Sequence, residues 1–141
     1  MAFLEMDADR ALFYGKIQGL VVAFHENERP LGGLIGLLDW RFHGAISYCV
    51  RAGAISGKSG ECTYMPFERN GRVYHIFLAG AGPLPASGKR AVLPEPILKN
   101  LAKNIAALRL QDIGVSSSDF GGLSEDTLTK QLKGVPLWIV P

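Results

Sequence analysis

The sequence predicts an α/β fold, a mixed sheet with helices packed against it, and three observations carry that reading. Residues Ile17–Phe24 become almost continuously apolar toward their end, as a strand buried on both faces does. Two strand-like runs, Glu61–Phe67 and Arg72–Leu78, are joined through Asn70-Gly71, the pair best suited to the positive φ of a tight hairpin. Glu95–Leu110 repeats apolar residues with helical periodicity. The order β, α, β-hairpin, α, β, α, β then argues for helices covering a mixed sheet.

Each element has its own signal. After the first strand, His25–Pro30 is a polar loop ending at a proline that disfavours helix just before it. Leu31–Leu38 is apolar with three glycines and fits a short helix or a compact loop equally. Trp40–Arg51 suits a helix with Phe42, Ile46, Cys49 and Val50 along one stripe, and Asp39 stands ahead of it as the cap. Gly53–Gly60 is a glycine- and serine-rich turn, and the hairpin follows.

The loop Gly80–Arg90 leads into the helix near Glu95–Leu110. Its stripe is Ile97, Leu98, Leu101, Ile105 and Leu108, with Lys99, Asn100, Lys103 and Asn104 opposite. Pro94 or Pro96 fits the first turn, where a missing N–H costs nothing. Ile113–Ser117 is a short strand. Ser124 opens a last helix with Glu125 and Asp126 at its positive end, Lys130 and Lys133 at its negative end, and Gly134 as the stop. Leu137–Val140 closes as a strand. No repeat or linker divides the chain, so residues 1–141 read as one domain.

Composition narrows the function classes. At 141 residues, 48% hydrophobic and 20% charged, the chain can bury a sizeable core and is not of the disordered type. The net charge of +2, with no run of Lys and Arg, does not favour nucleic acid. Glu5, Asp7 and Asp9 precede any apolar run, the reverse of a secretory signal, and no apolar stretch could span a bilayer of about 30 Å. A cytoplasmic protein without membrane contact is expected, with Cys49 and Cys62 as reduced thiols.

Motifs that carry chemistry are weak. Five residues separate Gly82 from Gly88, where a phosphate-binding loop has four, and Arg90 stands where a hydroxyl should follow Lys89. Gly80-Ala81-Gly82 lacks the third glycine of a dinucleotide fingerprint. These glycines read as turn residues; Gly80, Gly82, Gly88 and Lys89 are the positions that would approach a phosphate. His25, His43 and His75 fall on a loop, a helix and a buried strand, with no pair at metal-ligand spacing, so no metal is expected. Ser116–Asp119 and Ser124 are turn and cap residues, Cys49 a small core residue, and nothing forms a catalytic constellation or calls for a cofactor. Asp39-Trp40-Arg41 and Lys58…Glu61 are read two ways: as a cap, a packed aromatic and surface ion pairs, or as a docking patch.

Taken together, Arg29-Pro-Leu-Gly-Gly33, Leu37-Leu-Asp-Trp-Arg41, Gly57-Lys-Ser-Gly-Glu61 and the strand Val73–Leu78 running into Gly80-Ala-Gly82 resemble the N-terminal domain of the leucyl (cytosol) aminopeptidase family. The resemblance is best over Leu20–Gly82. It implies a macro-like three-layer α/β/α fold with a mixed, mostly parallel central sheet flanked by helices.

In that family a C-terminal domain binds two divalent metals and performs the chemistry. Its Asn-Thr-Asp-Ala-Glu-Gly-Arg run does not occur in these 141 residues. Two-metal hydrolysis needs the carboxylates that clamp both ions, so the resemblance implies no peptidase activity and no catalytic residue here. The family's N-terminal domain serves assembly and control, and in some members helps contact DNA. By resemblance the chain is expected to be a non-catalytic module with a protein partner or self-association, using Asp39, Trp40 and Arg41, with Lys58 and Glu61 beside them. Two alternatives stand: a macro-type binder of ADP-ribose-like nucleotides through Gly53–Gly60 and Gly80–Gly88, or the N-terminal fragment of a metal-dependent aminopeptidase. Whether a small molecule binds is left open. The start at Met1 favours a natural short protein over a fragment.

Overall fold

A computed structural model describes residues 2–87, 95–116, 119–120 and 137–140. The elements are β1 (Ala2–Phe3), α1 (Ala8–Phe13), β2 (Gly19–Phe24), α2 (Gly33–Arg41), α3 (Ala45–Arg51), β3 (Cys62–Arg69), β4 (Arg72–Gly80), α4 (Glu95–Leu108), β5 (Ile113–Ser116) and β6 (Leu137–Val140). They build a six-stranded sheet in the order β1-β6-β5-β2-β4-β3. Every pairing is parallel except β3 with β4.

All six residues of β2 are buried, and alternation along it divides the core. Leu20, Val22 and Phe24 face α1, α2 and α3, where Leu12, Ile35, Leu38, Phe42 and Ile46 pack. Val21 and Ala23 face the other way, onto Ile97, Leu98, Leu101 and Ile105 of α4. The result is the three-layer α/β/α architecture of a macro-like fold. Leu108, expected on the apolar stripe of α4, is instead exposed at its end.

The hairpin matches its sequence signal: Asn70 and Gly71 both have positive φ (54° and 76°), and the two flanking residues, Arg69 and Arg72, are paired. The helix expected over Trp40–Arg51 does not form as one piece. The undecided stretch before it becomes α2, which ends at Arg41, and α3 starts at Ala45. Between them His43 and Gly44 are both left-handed (φ 57° and 80°). Gly44 N–H donates to the Asp39 carbonyl (2.8 Å) and His43 N–H to that of Trp40 (3.2 Å), the paired bonds of a Schellman C-cap. His43 therefore sits at a helix break, exposed, rather than on a helix.

β1 and α1 carry no signal drawn from the sequence; at two and six residues they are too short for periodicity to show. The helix expected over 124–133, Gly88 and Lys89 lie outside the described residues. No helix among the described residues is long and apolar enough to cross a membrane.

Candidate functional site

The crossovers on either side of β2 define one place where a ligand could be met. The chain leaves β2 over the α2–α3 face and leaves β4 over the α4 face. The carboxyl ends of β2 and β4 thus form a topological switch point, where open α/β sheets bind ligands. Phe24-His25-Glu26 and Gly80-Ala81-Gly82 meet there.

Their backbone donors are already engaged. Gly80 N–H donates to the Glu61 carbonyl (2.6 Å), Ala81 N–H to Phe24 (2.9 Å) and Gly82 N–H to Gly57 (2.9 Å). Gly60 N–H returns a bond to the Gly80 carbonyl (3.3 Å). A Cβ on Gly80 would lie 2.1 Å from the Lys58 carbonyl oxygen, so this glycine exists for close approach of two backbones. An oxyanion cradle needs free N–H groups, and the N–H groups of Gly80 and Gly82 point into the protein instead.

Glu61 is the organiser of that turn. Its carboxylate accepts from Ser56 N–H (3.0 Å), Ser56 Oγ (2.5 Å) and Gly57 N–H (3.3 Å). Burial works to raise its carboxyl group, but the Ser56 and Gly57 hydrogen bonds and the Lys58 charge outweigh it and hold the group below its ordinary 4.5. Lys58 itself is exposed beside the turn. Glu61 holds this loop against β4, a role apart from that of Trp40.

Two buried polar groups complete this end, while His75 lies opposite Gly19 at the start of β2. His25, expected on a polar loop, is fully buried; its Nδ1–H donates to the Gly82 carbonyl (3.0 Å), and Nε2 has no hydrogen-bond partner among the described residues. Asp119, read as a turn residue, is buried and accepts the N–H of Ala23 (2.5 Å) just past the β2–β5 ladder, which runs as far as Val21 and Val115. His75, expected in the core, is half-buried and bonds through Nδ1 to Tyr64 Oη (2.5 Å). Burial lowers the His75 imidazole and raises the Tyr64 phenol, which favours the neutral form of both. Cys49 and Cys62 are free thiols, and burial pushes the Cys62 thiol up. Among the described residues no group of three His, Cys, Asp or Glu side chains converges on a metal position.

Asp39, Trp40 and Arg41 share the last turn of α2 and take three different roles. Asp39 does not cap its own helix. Its carboxylate crosses to α3 and accepts from Ser47 N–H (2.8 Å) and Ser47 Oγ (2.5 Å), in the first turn of that helix. This fastens the two helices together and supplies the acid that α3 lacks at its start. Arg41 donates to Asp9 (3.0 Å) and lies 4.8 Å over the Phe13 ring, tying α2 to α1. Trp40 is left outside, 73% exposed. Trp40, Arg41, His43 and Arg69 line a hollow of about 290 Å³ at this corner. The sequence named the triplet but not that its tryptophan would stand free on a braced helix end.

Comparison with known proteins places this geometry. The family model described as "Cytosol aminopeptidase family, N-terminal domain" matches residues 21–133. A tomato leucine aminopeptidase mutant superposes with a TM-score of 0.64 at 17% identity, covering 100% of this chain and 32% of that one. The chain thus spans about a third of that enzyme's length. The macrodomain of Mycobacterium tuberculosis DarG superposes at 0.69 and 17% identity, covering 99% of this chain and 96% of that one. Thermosipho africanus DarTG in complex with ADP-ribose gives 0.61 at 12% identity, covering 92% and 39%.

Proposed function

Because this chain belongs to the cytosol aminopeptidase family and corresponds to its N-terminal domain, we propose that it acts as a non-catalytic binding and assembly module. It engages a protein partner, or a second copy of itself, through the corner formed by the end of α2. The observation that carries this reading is Trp40: a large aromatic, 73% exposed, on a helix end that Asp39 and Arg41 hold rigid. Tryptophan is favoured at interface centres because it buries a large area while losing few rotamers. Bracing the backbone beneath it lowers the ordering cost of association. The engaged N–H groups of Gly80 and Gly82 weigh against the glycine loops as the working surface.

Native mass spectrometry and sedimentation of the wild type and Trp40→Ala test it, followed by cross-linking capture of partners with both. The variant is expected to keep its thermal midpoint within about 2 °C, since a freely exposed side chain contributes little to stability. It should lose the self-association or the specific partner that the wild type shows. Equal association by both proteins refutes the reading.

A second reading, a macro-type binder of ADP-ribose-like nucleotides, is favoured by the likeness to the DarG macrodomain over nearly the full length of both chains. Calorimetric titration with ADP-ribose decides it: saturable heat would displace the first reading, and no heat removes the second.

A further inference from the structure

The fold gathers a basic pole that the sequence disperses. Four of the eight arginines, Arg10, Arg41, Arg69 and Arg72, meet around the end of α1. Arg41 lies over the Phe13 ring at 4.8 Å, and Arg69 Nη1 donates to the Arg41 carbonyl (2.9 Å). Arg72 Nη1 donates to the Phe13 carbonyl (3.4 Å) while its guanidinium covers Tyr74 at 5.2 Å. Arg10 lies over the Tyr14 ring at 5.4 Å. Lys16 and His43 are exposed nearby in the chain. The carboxylates of these elements are Asp9, already paired to Arg41, Asp39, already bonded to Ser47, and Glu68 on β3.

Each of these guanidiniums is fixed by a backbone carbonyl, a carboxylate or a ring. A fixed guanidinium is a pre-set fork for oxyanions, because its donors are rigidly arranged and little side-chain entropy remains to be lost. Two exposed aromatics, Trp40 and Tyr14, stand on the same pole. The chain as a whole carries only +2, so outside the pole the net charge is close to zero.

We propose that this pole binds an acidic segment of a partner protein, with carboxylates on Arg10, Arg69 and Arg72 and an apolar side chain against Trp40. The claim rests on the binding-module reading and names the partner's chemistry. Charge complementarity selects an anionic occupant. The confined extent of the pole selects a short acidic segment over a nucleic acid strand, which would gain no further phosphate contacts once it ran past these arginines. The hollow of about 290 Å³ beside Trp40 accommodates one side chain, not a chain of bases.

The test is fluorescence anisotropy of the full chain with three labelled probes: a glutamate-rich peptide containing one leucine, the same peptide with glutamine for glutamate, and single-stranded oligothymidylate. Saturable binding of the acidic peptide is expected, weakened about tenfold or more by the glutamine replacement and by raised salt. Arg69→Gln/Arg72→Gln, with its fold checked by circular dichroism, should weaken it by a similar factor. The peptide comparisons use wild-type protein, so they stand even if the variant unfolds. Tighter binding of the oligonucleotide than of the acidic peptide, or equal binding of the acidic and glutamine peptides, overturns the proposal. If Trp40→Ala abolishes partner capture while the acidic peptide shows no binding, the acidic-partner claim falls and the binding module stands.

Discussion

Replacing Asp39 with alanine separates its structural role from any role in docking. The carboxylate makes two hydrogen bonds to Ser47, one to the backbone N–H in the first turn of α3 and one to the hydroxyl. Loss of a helix cap costs about 0.5–2 kcal/mol. A hydrogen bond to a charged acceptor is worth about 1.5–3 kcal/mol, reduced here because both residues are half-buried and water can replace part of the interaction. A total near 2 kcal/mol follows. With an unfolding entropy of about 2.1 cal/mol/K per residue over 141 residues, that loss lowers Tm by about 7 °C.

Urea unfolding of Asp39→Ala, Ser47→Ala and the double variant measures it directly. The single variants should lose about 2 and about 1 kcal/mol, and the double variant about 1 kcal/mol less than their sum, because they break shared bonds. Asp39→Asn keeps an acceptor for the Ser47 N–H and should recover more than half of the loss. A cost for Asp39→Ala below about 0.5 kcal/mol, or strict additivity with Ser47→Ala, would refute the fastening of α2 to α3. Unchanged stability with lost association would move Asp39 into the docking surface itself.

Two further predictions concern the sheet and its turn. Gly80→Ala places a Cβ 2.1 Å from the Lys58 carbonyl oxygen and 2.8 Å from Glu61 Cβ, so denaturant unfolding should show a loss of about 2–3 kcal/mol. Gly53→Ala, at positive φ but with open space around it, should cost only about 1 kcal/mol; equal costs would mean that crowding at Gly80 is not the cause. The pH dependence of Tm should show two losses on acidification. The folded His75 lies below its ordinary 6.5, so the unfolded chain takes up that proton first and stability declines as pH falls from about 6.5 through the folded value. The folded Glu61 is also depressed, so its contribution is present above about 4.5 and is lost as pH falls through its folded value. His75→Phe should flatten the first decline and Glu61→Gln the second; profiles unchanged by both variants would contradict these assignments.

Elements whose signals are local were legible from the residues alone. Buried β2 shows in the apolar run Gly19–Phe24, the hairpin in Asn70-Gly71, and α4 in its repeating Ile and Leu positions. These follow from backbone sterics and from one-dimensional periodicity, which neighbouring residues suffice to express. The family resemblance was legible for the same reason, through short words around Gly33, Asp39 and Glu61.

Features that depend on residues far apart in the chain emerged only with the packed fold. Trp40–Arg51 read as one continuous helix, and the fold broke it between α2 and α3 at His43 and Gly44. Asp39 looked like a local cap and became a bond to Ser47 on the next helix; Asp119 looked like a turn residue and became the acceptor for Ala23, 96 residues away. Gly80 and Gly82 read as turn residues and as positions that would approach a phosphate, and the fold closed their N–H groups against the 56–61 turn. Arginines separated by tens of residues reached one pole because the ends of α1 and α2 and the β3–β4 turn converge around Phe13. Charge and hydrogen bonds act through space, so their clusters emerge only when the sheet and its covering helices set which residues meet.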